Sequence, residues 1–76
     1  MKNLNISLNS VEKVRDFVKI IACRPGRFDL SSDKYVIDAK SIMGIFSLDL
    51  GKPLRLDIYN DSGYESLVND IKDFII

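Results

Sequence analysis

Two hydrophobic periods alternate along this chain, and they constrain its fold more than any other feature. Leu4, Ile6 and Leu8 alternate with Asn3, Asn5 and Ser7, the period-two pattern of a strand with one buried face. Directly afterwards Val11, Val14, Phe17, Val18 and Ile21 recur at helical spacing, with Glu12, Lys13, Arg15, Asp16 and Lys19 on the other side. This predicts an amphipathic helix over about 11–23, opened by a capping box of Asn9 and Glu12 and stopped by Pro25-Gly26. Phe28 and Leu30 then alternate with Arg27 and Asp29, Ser31-Ser32-Asp33-Lys34 is turn-rich, and Tyr35-Val36-Ile37 favours a strand again, so the segment reads as a hairpin.

The second half repeats the alternation. Ser41 is placed to cap a short helix with Ile42, Ile45 and Phe46 on its apolar side and Met43 pointing elsewhere. After the turn at Gly51-Lys52-Pro53, Leu54, Leu56 and Ile58 alternate with Arg55, Asp57 and Tyr59, a fourth strand broken by Asn60-Asp61-Ser62-Gly63. Ser62 and Glu65 have capping-box spacing, and Tyr64, Leu67, Val68, Ile71, Phe74 and Ile75 mark a last helix running to the end. The order β-α-β-β-α-β-α predicts an α+β two-layer sandwich, a four-stranded antiparallel sheet with three helices on one face. Residues 1–76 read as one domain, with a stability of about 4–11 kcal/mol at about 0.05–0.15 kcal/mol per residue.

Composition excludes several classes. With 46% apolar and 29% charged residues the chain is globular rather than disordered. Residues 1–38 hold seven basic and five acidic groups and residues 39–76 four and six, a weak asymmetry. With a pI near 6.1 this argues against a nucleic-acid binder. No apolar run approaches the length of about 20 residues that crosses a bilayer, and the N-terminus lacks a signal-peptide block, so a cytoplasmic, membrane-free location is expected. Cys23 is the only cysteine, which excludes an intrachain disulfide. With no histidine to activate it, Cys23 is expected to be a buried, inert thiol. No glycine-rich phosphate loop and no metal-ligand spacing is present, and no cofactor is expected. Arg24, Arg27 and Lys34 read as a solvated face.

Two segments carry a resemblance. Lys40-Ser41-Ile42-Met43-Gly44 resembles the regulatory serine and following short helix of HPr, the small phosphocarrier of the bacterial sugar phosphotransferase system. Phe17-Val18-Lys19 resembles the middle of that family's first helix, and both matches give the same offset. The resemblance implies the HPr-like open-faced sandwich. In this register the family's phosphoacceptor histidine falls on Ser10, its partner arginine on Glu12 and the following proline on Lys13; the chain has no histidine at all. A phosphocarrier needs a neutral imidazole nitrogen that accepts and releases a phosphoryl group readily. A serine phosphate is a stable ester, and Glu12 would repel it. The plain reading of Ser10 and Glu12 is helix capping.

Ser41 matches the serine that the family's dedicated kinase phosphorylates, and Lys40 stands next to it for pairing; the alternative is that Ser41 only caps a helix. Ile42, Met43 and Phe46 match the family's partly exposed docking patch, the alternative being plain core. The expectation is a non-catalytic HPr-like regulatory or adaptor protein, similar to the catabolite-repression paralogue that keeps the serine and lacks the histidine. Its partner would be a protein: a serine kinase/phosphatase or a transcription regulator. Two other readings are an unconventional phosphoacceptor using Ser10, and a small-ligand or assembly module that keeps only the fold.

Overall fold

A computed structural model describes residues 2–33, 35–59 and 62–76. In chain order these form β1 (Lys2–Ile6), α1 (Val11–Ala22), β2 (Phe28–Ser32), β3 (Tyr35–Asp38), α2 (Ile42–Phe46), β4 (Leu54–Ile58) and α3 (Tyr64–Ile71), followed by a 3₁₀ turn at Lys72–Phe74. The four strands make one antiparallel sheet in the order β1-β4-β2-β3. Register follows the period-two pattern: Leu4 faces Leu56, Leu56 faces Leu30, and Leu30 faces Ile37 across adjacent strands. These residues therefore share the face that the three helices cover.

The core fills that space. Ile6, Phe28, Leu30, Leu54, Leu56 and Ile58 from the sheet meet Val14, Phe17 and Ile21 of α1, Ile45 of α2 and Leu67 and Ile71 of α3, all buried. Phe17 of α1 meets Phe74 of the 3₁₀ turn after α3 edge to face, with ring centroids 5.9 Å apart and planes at 87°. The opposite sheet face is open and polar.

Several boundaries differ from the sequence reading. β1 ends at Ile6, yet Leu8 is still fully buried, carried inward by the loop that follows. The last helix stops at Ile71 rather than at the end. Beyond the 3₁₀ turn, Ile75 bridges Ile6, Ser7 N–H donates to Phe74 C=O (2.8 Å) and Ile76 N–H donates to Asn5 C=O (3.1 Å). The C-terminal residues thus cover the β1 edge, which would otherwise expose unpaired backbone groups. The fourth strand ends at Ile58, one residue early. The breaker residues Asn60 and Asp61, and Lys34 of the hairpin turn, lie outside the described residues.

Both capping boxes are corrected. The cap of α1 is Ser10, not Asn9: Ser10 is extended (φ −149°, ψ 158°) and its Oγ accepts from Lys13 N–H at 3.1 Å. Glu12 therefore sits one position too early to close a box. It remains in the first turn, where the dipole favours an acid. The cap of α3 is Gly63, in the left-handed region at φ 76°, with no side-chain cap bond. The chain reverses so sharply there that Ser62 falls outside the helix. Among the described residues, no helix is long and apolar enough to cross a membrane.

Candidate functional site

The site is built on the five-residue helix α2 and its cap, Ser41. Ser41 enters α2 extended (φ −93°, ψ 102°), its Oγ accepts from Gly44 N–H at 3.2 Å, and its carbonyl accepts from Ile45 N–H at 3.0 Å. This satisfies donors that a helix start otherwise leaves unpaired. Gly44 permits the close approach of α2 to β3. A Cβ there would lie 3.1 Å from Ser41 Oγ and 3.4 Å from Ile37 Cβ. Ser47 closes the helix through its N–H and hydroxyl, both donated to Gly44 C=O.

So short a helix can bury one side only. Ile45 is fully buried and Ile42 half-buried, while Met43 is 78% and Phe46 41% exposed. The structure thus brings Ser41, Ile42, Met43 and Phe46 together on one element. Val11, which the spacing placed on the buried stripe of α1, is 57% exposed; the first side chain of that stripe to reach the sheet is Val14. Ser10 Oγ is occupied in capping α1, beside Glu12.

Lys40 does not point at the Ser41 hydroxyl. Its ammonium donates to Arg24 C=O at 2.7 Å and lies 5.6 Å from the Phe28 ring centre. A cation placed there satisfies a carbonyl just beyond the end of α1. Arg24 is likewise no free surface charge: its guanidinium donates to Ser66 Oγ at 3.1 Å and to Asp70, tying the end of α1 to α3. Cys23 is exposed, against expectation. It lies two residues past the buried Ile21, a rotation of about 200° that turns it to solvent.

Arg27 is exposed, as the reading of a solvated face expects, but it belongs to a network on the open sheet face that this reading did not name. Asp38, Asp29 and Asp57 stand in one cross-strand row, and Asp29 and Asp57 are buried. Like charges directly opposite destabilise a sheet, and here arginines offset them. Arg27 Nη2 lies 3.1 Å from Asp29 Oδ2, which also accepts from Tyr59 O–H at 3.0 Å. Arg55 Nη2 donates to Asp57 Oδ2 at 3.3 Å, and its Nε lies 3.0 Å from Oδ1, close enough for an ion pair but off-line for a hydrogen bond. Arg27 also stacks on Tyr59 at 4.7 Å. The bond to Asp29 raises the pKa of both Tyr59 and Arg27. A signal existed: Arg27-Phe28-Asp29 and Arg55-Leu56-Asp57 repeat one R-x-D step, which puts each pair on the same face of its strand.

Three hollows among the described residues are small or open. The one between Arg24, Phe28, Tyr64 and Leu67 is about 20 Å³, room for one water. Depressions beside Lys2 and Tyr64, and around Asn5, Ser31 and Arg55, are wide and open. Among the described residues no group of three His, Cys, Asp or Glu side chains is placed to hold a metal ion.

No protein-family model matches the sequence, and no curated protein does. Among solved structures, the chain is similar to HPr-C-His from Thermoanaerobacter tengcongensis, at 25% identity and a TM-score of 0.78, over 96% of this chain and 89% of that one. The chain therefore has the HPr-like fold, an open four-stranded antiparallel sheet with three helices.

Proposed function

We propose that this chain is a non-catalytic HPr-like adaptor that docks protein partners through Ile42, Met43 and Phe46 and is switched by phosphorylation of Ser41. In character this is the catabolite-repression paralogue, and the partner is a serine kinase/phosphatase or a transcription regulator. The observation that carries the reading is the exposure of Met43 and Phe46 on the very helix that Ser41 caps. A core this small gains nothing from an apolar side chain left in water, and methionine suits adaptable contacts.

Chemistry supports the non-catalytic part. The sequence contains no histidine, Ser10 Oγ is engaged by Lys13 N–H, and Glu12 adds an anion in the same helix turn. A phosphate at Ser41 brings about −1.5 to −2 charges at pH 7. The helix dipole returns only about 0.3–1 kcal/mol at a surface site. Lys40 is held at Arg24 C=O and does not neutralise that charge. The modification would therefore leave the fold intact and act on whatever meets the patch.

Treatment of wild type and Ser41→Ala with an HPr-type serine kinase and ATP, followed by mass spectrometry, tests the switch. Phosphate confined to wild type, at Ser41, is expected; equal labelling of both proteins rules the site out. Incubation with enzyme I and phosphoenolpyruvate is expected to transfer no phosphoryl group, and a transferable phosphoryl group on this chain would overturn the non-carrier reading.

A further inference from the structure

We draw no further inference here: the strongest candidate, the cross-strand row of Asp38, Asp29 and Asp57 on the open face of the sheet, is an acidic cluster whose two buried members are already held by Arg27, Arg55 and Tyr59, and nothing in the structure points to a ligand there.

Discussion

Replacing Gly44 by alanine sets helix propensity against packing at the start of α2. In a solvent-exposed helix interior the change stabilises by about 0.8–1 kcal/mol. Here the new methyl would lie 3.1 Å from Ser41 Oγ and 3.4 Å from Ile37 Cβ. The Ile37 contact is fixed, because β3 is paired to β2 at that residue. The Ser41 hydroxyl can rotate away, but it then gives up its bond from Gly44 N–H, a cap worth about 1 kcal/mol. Adding the lower end of the overpacking cost, about 1 kcal/mol, the balance is a loss of about 1 kcal/mol. In a domain of this size that lowers Tm by about 4–8 °C. Thermal melts followed by circular dichroism would measure it. The mechanism is specific to Ser41, so the same change in a Ser41→Ala background, where no hydroxyl collides and the cap is already lost, should be neutral or stabilising. The two mutations should thus couple by about 1 kcal/mol. A Gly44→Ala protein that melts higher than wild type, or equal effects in the two backgrounds, would refute the reasoning.

Met43→Asp should change stability by no more than about 0.5 kcal/mol in a urea titration, since the side chain is largely solvated; a larger loss would make Met43 a core residue. Arg24→Met should cost about 0.5–1 kcal/mol, discounted because Asp70 is half-exposed, and the deficit should shrink in high salt; an unchanged deficit would assign the effect to packing alone. Tyr59 donates to Asp29, which raises its pKa above the ordinary 10.0, so that bond contributes fully below about pH 10 and is lost as pH rises through the raised value. The stability gap between wild type and Tyr59→Phe should stay flat up to about pH 10 and close above it; a gap that closes below pH 9 would contradict the assignment. Cys23 should react with a thiol reagent at the rate of a free thiol under native conditions, whereas a rate limited by unfolding would place it inside.

The elements were legible wherever one face of a segment is buried. Leu54, Leu56 and Ile58 could belong only to a half-buried strand, and Val14, Phe17 and Ile21 only to a helix face. Caps were less legible, because Asn9 and Ser10 are equally good capping residues; the choice is made by the backbone angles at which the chain leaves β1. The left-handed turn at Gly63 likewise takes the cap from Ser62. Cys23 was misplaced by chemistry, since the absence of an activating histidine says nothing about which way a helix end points. At the candidate site, composition and spacing placed Ser41 and the apolar residues together, but the destination of the Lys40 ammonium depends on the long-range return of α1 and could not be read locally. Likewise, the burial of Asp29 and Asp57 depends on neighbours from other strands.

The central claim is that α2 is where partners dock. The most direct measurement is an amide NMR titration of the labelled protein with an HPr-type serine kinase/phosphatase. The account predicts shifts concentrated at Ser41 to Phe46, lost in Met43→Asp. Shifts centred on Asp29, Arg55 and Tyr59 across the open sheet face, or binding that Met43→Asp leaves unchanged, would contradict it.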